Sequence, residues 1–305
     1  MKLAEKSSAR EANSAIRSAE GPEIDSTPPD SSSRLSDILY AGELTTKSPL
    51  LEFRNVTIFR EEQKALDGIT ISIDEGEHVA ILGPNGCGKS TLIQTLTRDC
   101  YPFLGDMDWT LRILGRDTWH VFELRAMMGI VTNDLMLSCR RDYPVREIVL
   151  SGFFSSIGIW PNHTVEPYMI EKANEIMELL EITHLADRKM CETSSGEGRR
   201  AVIGRALVSD PKALILDEPS TSLDLRAMRE LRDILGKVAR TGKSIILVTH
   251  HVDEIIPEME RVVFMNKGKV VRDGAKAEVL TAENLCELFG VPVDLSQRDG
   301  FYNCW

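Results

Sequence analysis

The feature that most constrains this chain is a glycine-rich segment directly after a short apolar run. His78–Leu82 predicts a buried strand, and residues 83–90 then read Gly-Pro-Asn-Gly-Cys-Gly-Lys-Ser, which fits G-x-x-x-x-G-K-[ST]. Residues 91–98 predict a helix. In such a strand–loop–helix unit, glycines let backbone N–H groups surround phosphate oxygens, and the helix N-terminus adds positive potential. The segment therefore predicts a nucleotide-phosphate site.

The two polar residues that end this loop predict which ligands it takes. Lys89 is expected to neutralise the β- and γ-phosphates, and the Ser90 hydroxyl to hold Mg²⁺. ATP and Mg²⁺ are therefore the predicted ligands. The residues predicted to contact the nucleotide here are Gly83, Pro84, Asn85, Gly86, Cys87, Gly88, Lys89, Ser90 and Thr91.

A pair of carboxylates follows a second apolar run, residues 213–216. Asp217 at the end of that strand can hold Mg²⁺, directly or through water, and Glu218 can orient or polarise the attacking water. The run Pro-Ser-Thr-Ser-Leu-Asp continues to Asp224 and makes this pattern specific. It predicts ATP hydrolysis in addition to binding.

The hydrophobic pattern between these motifs predicts an α/β domain with a mainly parallel sheet. Continuous apolar runs are typical of parallel strands covered on both faces, and alternating runs of half-buried strands. Residues 213–216 and 244–248 are of the first kind, 51–57 and 69–73 of the second, while 169–185 and 226–240 have helical spacing. Asn266, Lys267 and Gly268 predict a hairpin turn.

Composition excludes several other classes of protein. The net charge of −11 disfavours direct nucleic-acid binding, and no apolar run approaches the ~20 residues of a membrane helix. The six scattered cysteines include no CxxC pair, which indicates reduced thiols in a cytosol-like compartment. Residues 1–48, rich in Ser, Pro and charge, predict a disordered tail.

From about residue 50 to 290 the chain closely resembles the ATP-binding-cassette (ABC) family. Beside the phosphate loop and carboxylates, residues 193–197 read Thr-Ser-Ser-Gly-Glu where that family usually has LSGGQ, and His250 follows an apolar strand. The resemblance implies a P-loop fold over 49–290, with an antiparallel β-subdomain and a helical subdomain at about 134–192. Residues 291–305 form a C-terminal extension whose aromatics are expected to pack on the domain.

Further site residues are implied by this resemblance alone. Phe59 stands where an aromatic stacks on adenine, with a core aromatic as the alternative reading. His250 matches a histidine that contacts the γ-phosphate. Ser194, Gly196, Glu197 and Asp224 match residues that contact ATP in a head-to-tail pair, in which one protomer closes over the nucleotide of another. A homodimer or a second ABC cassette is therefore the expected partner.

Three positions depart from the family pattern. Asn133 replaces the usual glutamine of the Q-loop; it keeps an amide oxygen for Mg²⁺ or water, and a catalytic role, but is one methylene shorter. Thr193 replaces leucine in the signature, and Gly198 follows where glutamine is common. These departures are compatible with the phosphate chemistry but disfavour the usual coupling to a transporter partner.

Two functional readings follow. Residues 145–158, the signature and His250-His251 look like a soluble, non-transporter subgroup whose yeast member associates with the CCR–NOT gene-expression complex. That reading predicts a dimeric ATPase that drives or regulates a soluble protein complex in the cytoplasm, with the nucleus as a second location. The alternative is the energy-coupling subunit of an ABC transporter whose membrane domain is a separate chain, with its coupling surface between Asn133 and Cys191.

Overall fold

The computed structural model describes residues 49–103 and 108–305. The predicted tail, residues 1–48, lies outside the described residues. The strands are β1 (Pro49–Arg60), β2 (Gln63–Asp74), β3 (His78–Leu82), β4 (Thr110–Ile113), β5 (Met128–Val131), β6 (Ala213–Asp217), β7 (Ser244–Thr249), β8 (Arg261–Asn266), β9 (Lys269–Ala275), β10 (Leu295–Arg298) and β11 (Phe301–Cys304).

Helices connect and cover these strands. They are α1 (Lys89–Leu96), α2 (Val121–Met127), α3 (Asn133–Cys139), α4 (Val145–Leu150), α5 (Pro167–Leu179), α6 (Ser195–Leu207), α7 (Leu225–Ala239), α8 (Lys276–Val279) and α9 (Ala282–Phe289). Among the described residues, none of these helices is long and apolar enough to cross a membrane.

The central sheet determines where the functional motifs meet. Its strand order is β5-β6-β7-β3-β8-β9, with every pair parallel except β8–β9. All six residues of β7 are buried, as continuous apolar strands in a parallel sheet require. Because β6, β7 and β3 are parallel neighbours, the residues at their carboxyl ends lie at the same edge of the sheet. These residues are the carboxylate pair, His250 and the phosphate loop. The predicted α/β fold is confirmed.

A separate antiparallel sheet of order β2-β1-β4 forms the expected β-subdomain. The predicted hairpin at the end of the main sheet is also present, since Lys267 and Gly268 have positive φ values of 47° and 76°. Such angles belong to the turn that best matches the twist of two antiparallel strands. Both features agree with the sequence pattern.

The helix predicted over 169–185 is shorter than expected, because α5 ends at Leu179. Glu181 adopts a left-handed conformation with φ 57° and donates its N–H to the Glu178 carbonyl, while the Ile182 N–H bonds to the Met177 carbonyl. This pair of bonds is the Schellman motif that ends many helices. Its left-handed residue is usually glycine, so glutamate at this position hid the stop signal.

The C-terminal hairpin β10–β11 packs on the domain through only part of its aromatic set. Tyr302 is 6% exposed and joins the main hydrophobic core, and Phe301 packs against its edge. Trp305 is 73% exposed. The expectation that all three aromatics pack on the domain is therefore wrong for Trp305.

Candidate functional site

The phosphate loop lies between β3 and α1, and two of its glycines are required by geometry. Gly86 and Gly88 have φ values of 78° and 108°, a region that only glycine enters freely. A Cβ on Gly88 would also lie 2.5 Å from the Ala65 carbonyl oxygen. These glycines allow the loop to close tightly against β2, with its backbone turned toward the cavity described below.

Lys89 is buried within the loop that precedes it. Its Nζ donates hydrogen bonds to the carbonyl oxygens of Gly83 at 2.8 Å and Pro84 at 3.1 Å. The same Nζ lies 3.9 Å from Glu218 Oε1, and the side chain is 5% exposed. The structure thus brings the predicted phosphate-binding cation next to the predicted hydrolytic carboxylate.

Glu218 and His250 contact each other at the edge of the sheet. His250 Nδ1 lies 2.8 Å from Glu218 Oε1, and the Glu218 N–H donates to the Val248 carbonyl of β7 at 2.8 Å. Glu218 has φ 48°, an unfavourable conformation for a residue with a Cβ that often marks functional sites. Its backbone bond to β7 holds the carboxylate between Lys89 and His250.

Asp217 carries an electrostatic penalty that a cation would relieve. Burial, and then the negative charge of Glu218, raise the pKa of its carboxyl to about 6. Ser90 is exposed at the start of α1, while no group of three or more His, Cys, Asp or Glu in the described part of the chain could hold a metal by itself. The Ser90 hydroxyl and the Asp217 carboxylate are oxygen donors that suit Mg²⁺, which usually takes one or two protein ligands with substrate phosphates.

A cavity of about 800 Å³ lies in front of the loop, a size suited to a nucleotide. Its lining combines predicted residues with several that sequence analysis missed. The predicted ones are Asn85, Gly86, Gly88, Lys89, Ser90, Thr91 and Glu218, and the missed ones include Arg60, Gln63, Lys64, Asp99 and Cys100. The closeness of Arg60 and Lys64 in sequence to Phe59 was the available signal.

Two predicted contact residues, Phe59 and Cys87, have different environments. Phe59 is 41% exposed and packs edge-to-face on Phe103, with ring centroids 5.1 Å apart, so it is not a core aromatic. The Cys87 side chain is buried beneath the loop, and burial raises the pKa of its thiol. Any nucleotide contact by Cys87 must therefore use its backbone.

Asn133 lies at the start of α3, and its amide oxygen is already engaged. Its Oδ1 accepts a hydrogen bond from Arg199 Nη2 at 2.9 Å. The negative charge of its neighbour Asp134 contributes to the raised pKa of Asp217. The role of Asn133 in metal binding or catalysis stays a prediction, and its partner Arg199 was not found from sequence.

The signature residues lie in a second, separate pocket. Ser194 caps α6 by accepting from the Glu197 N–H at 3.3 Å, while Glu197 Oε2 accepts from the Ser194 N–H at 2.8 Å. Asp224 caps α7 by accepting from the Ala227 N–H at 2.8 Å. A Cβ on Gly196 would come within 2.9 Å of the Ala227 Cβ, so glycine lets the two helix starts touch.

This second pocket includes Ser194, Gly196, Glu197 and Asp224 in its lining and shares no lining residue with the nucleotide cavity. Within one chain these four residues and Lys89 therefore line different pockets. A tight phosphate loop, an adjacent carboxylate pair and a histidine at the edge of a parallel sheet define a P-loop nucleotide-binding ATPase.

The family within that class is shown by comparison with known proteins. The model of the family described as "ABC transporter" matches residues 66–221. The chain belongs to the ABC transporter ATP-binding family, as the sequence resemblance implied.

Relatives of this family match the chain over most of its length. The uncharacterised ABC transporter ATP-binding protein YlmA of Bacillus subtilis (strain 168) is 34% identical over 249 residues, which cover 80% of this chain and 92% of YlmA. The hemin import ATP-binding protein HmuV of Bradyrhizobium diazoefficiens is 31% identical over 261 residues, covering 83% and 93%.

Solved structures agree with this assignment. The ADP conformation of an ATP-binding cassette of an ABC transporter is similar with a TM-score of 0.66 and 26% identity, covering 79% of this chain and 98% of that chain. A dimeric bacterial ABC transporter cassette has a TM-score of 0.60 and 25% identity, with 74% and 98% covered. A dimeric post-hydrolysis state with ADP and Pi is also similar, at a TM-score of 0.59 and 25% identity. ABC cassettes are ATPases that dimerise and bind ATP, generally with Mg²⁺.

Proposed function

We propose that this chain is the ATP-binding, energy-coupling subunit of an ABC transporter whose membrane component is a separate chain. The observation that carries the proposal is its likeness to transporter ATP-binding proteins over more than nine-tenths of their length. This was the alternative reading of the sequence. A location on the cytoplasmic side of a membrane is part of the same proposal.

In the proposed reaction, Lys89 binds the β- and γ-phosphates, and Ser90 and Asp217 hold Mg²⁺. When bound, Mg²⁺ would neutralise charge on the phosphates. Glu218, held by His250 and the β7 carbonyl, orients the attacking water. Its contact at 2.8 Å gives His250 a fixed position from which to reach the γ-phosphate. Phe59 would stack on the adenine at the exposed side.

The second half of the proposed site comes from another protomer. Ser194, Gly196 and Glu197 lie at the N-terminus of α6, whose dipole favours an anion. Because these residues lie away from Lys89 in their own chain, we propose that they close over the ATP of a partner in a head-to-tail dimer. The separation of the two pockets, together with the similar dimeric cassettes, supports this arrangement.

A groove between β5, α3 and α6 supplies a surface for the membrane component. Its lining includes Gly129, Thr132, Leu135, Ile157 and Ala206. The groove adjoins Asn133 and lies partly within the region expected to form the coupling surface. We propose that it receives a short helix of the membrane chain, so that docking of this helix displaces the end of β5.

The soluble reading, with a CCR–NOT-like or other protein complex as partner, ranks second. It rests on the likeness of residues 145–158, the signature at residues 193–197 and His250-His251 to that subgroup. Part of that segment has a packing explanation, because a Cβ on Gly152 would lie 2.0 Å from the Arg205 carbonyl oxygen of α6. One observation favours this candidate. The chain has Asn133, hydrogen-bonded to Arg199, at the position where the family usually has the longer glutamine.

Purification of the full chain carrying Glu218→Gln, with Mg²⁺ and ATP present, tests the two functions. The variant should retain bound ATP and hold its dimer and partners long enough for mass spectrometry. Co-purification of a membrane protein with several spanning helices would support transport. Soluble gene-expression factors in its place would contradict it. Lys89→Ala is the matched control, because it should lose ATP-dependent partners.

A further inference from the structure

Arg199 connects three segments that surround the hydrolysis site. It lies in α6, which begins beside the signature serine. Its Nη2 donates to Asn133 Oδ1 at 2.9 Å and lies 3.4 Å from the Thr221 carbonyl oxygen, within hydrogen-bond range. Asn133 follows β5, and Thr221 belongs to the loop after Glu218. One guanidinium group thus joins the signature helix to both sides of the site.

The environment of Arg199 does not satisfy its charge. The residue is 3% exposed, and its Nε and Nη1 find no hydrogen-bond partner among the described residues. Burial lowers the pKa of its guanidinium, and the negative charge of Glu254 opposes that shift. Glu254 is also 3% exposed, and its Oε2 likewise finds no partner in the part of the chain described.

Glu254 contacts Ser220, the residue next to Thr221 in the loop after Glu218. Its Oε1 accepts from the Ser220 N–H at 3.1 Å, and burial raises the pKa of its carboxyl. Replacing a whole buried ion pair by apolar side chains is often neutral or stabilising, whereas removing one of its charges costs stability. The guanidinium of Arg199 therefore offsets the charge of Glu254 and also contacts two oxygens, Asn133 Oδ1 and the Thr221 carbonyl.

We propose that Arg199 is a positioning residue for ATP hydrolysis: it orients the Asn133 carboxamide and the loop after Glu218. Movement of α6, whose N-terminus carries Ser194, would then reach both segments through one side chain. The shorter Asn133 side chain depends on this bond for its orientation. The inference rests on ATPase activity and is independent of whether the partner is a membrane protein.

A double-mutant cycle on the full chain tests this coupling. Arg199→Met removes the donors but keeps an apolar side chain, and Asn133→Ala removes the acceptor. Each should lower kcat at saturating Mg²⁺ and ATP about tenfold and leave KM within about twofold. The double variant should be no more than about twofold slower than Arg199→Met, because both substitutions remove the same bond. Arg199→Met also removes the charge that offsets buried Glu254, so its unfolding temperature should fall, and kcat is measured well below that temperature.

Arg232 provides a matched control. It lies on α7, donates through Nη1 to the Asp253 carbonyl at 2.8 Å and also has a buried Nε without a partner among the described residues. Arg232→Met should leave kcat within about twofold of wild type. The kcat of the double variant Arg232→Met, Asn133→Ala should show the product of the two separate fold-changes.

Two results would overturn the proposal. One is multiplication of the Arg199 and Asn133 effects, which would show that the residues act separately. The other is a lower unfolding temperature for Arg199→Met with unchanged kcat, which would show a structural role. If Arg199→Met does not fold, Arg199→Lys decides: it retains the charge and a single donor group, and should lower kcat about threefold, whereas wild-type kcat would contradict the proposal.

Discussion

The nucleotide cavity and the signature pocket shift the pKa values of their carboxyl groups in opposite directions. In the cavity, burial and the charge of Glu218 raise the pKa of Asp217 to about 6. In the signature pocket, the hydrogen bond from the Ser194 N–H is the main cause of the lowered pKa of Glu197. The first carboxylate is poorly stabilised by its own chain, and the second is satisfied by the helix it caps.

This difference indicates that, within one chain, the nucleotide cavity has unbalanced charges that a ligand would compensate and the signature pocket does not. Lys89, Asp217 and Glu218 form a charged cluster beside His250, and its charge balance changes when phosphate and a divalent cation bind. The signature residues form a completed helix cap with an exposed Ser194. Variants of the first region should therefore change binding or hydrolysis directly, and those of the second only steps that need two protomers.

The largest expected effect is that of Glu218→Gln on hydrolysis. Glutamine keeps the size but cannot act as the carboxylate that orients and polarises water, so kcat should fall about 1,000-fold. ATP affinity should stay within a few-fold, and dimers should accumulate. A phosphate-release assay with size-exclusion chromatography measures both. A variant that remains monomeric with saturating ATP would break the proposed division between the two pockets.

Lys89→Ala should weaken ATP binding about 100-fold, because it removes a charge-assisted contact to the phosphates. Equilibrium binding of a fluorescent ATP analogue to dilute protein is the measurement. Lys212→Ala is the control, since that exposed lysine pairs with Glu75 at 3.6 Å. Unchanged affinity in Lys89→Ala would contradict the nucleotide assignment of the cavity.

Ser194→Ala should lower ATPase activity about tenfold and leave ATP affinity of the isolated protomer unchanged, because we propose that Ser194 contacts a partner's nucleotide. Loss of the cap should also cost about 1 kcal/mol of stability. Thr281→Ala is the matched control: Thr281 caps α9 by accepting from the Asn284 N–H at 3.1 Å. It should lose similar stability with full activity, and equal activity loss in both variants would remove the distinction.

The smallest expected effect concerns stability and pH. With a folded-state pKa raised from 3.8 to about 6, Asp217 binds more protons in the folded chain than in the unfolded one between these pH values. Folding stability should therefore fall as pH rises from about 4 to 6. Asp217→Asn should remove that slope and be roughly 1 kcal/mol more stable at pH 7, a value reduced for solvent screening. Denaturant unfolding across pH measures it; an unchanged slope would contradict the buried-charge account.

Much of the fold and of the nucleotide cavity could be predicted from local sequence. The phosphate loop, the carboxylates and His250 each follow an apolar strand, and parallel strands bring such residues to one edge. Residues without a local pattern were missed. Arg199 and Asn133 are 66 positions apart, and nothing local to either residue indicates their hydrogen bond. The end of α5 was missed because Glu181 occupies a position where glycine usually gives the signal.

The chemistry of the phosphate loop and the order of strands and helices could be predicted from the sequence alone, because these depend on residue type and short-range periodicity. Three features are visible only in the tertiary structure. Lys89 Nζ lies 3.9 Å from Glu218 Oε1, the signature residues line a separate pocket, and the buried Arg199 is hydrogen-bonded to Asn133. Those facts depend on which distant segments pack together. Packing reflects the volume, charge and backbone geometry of the whole domain, which no short segment encodes.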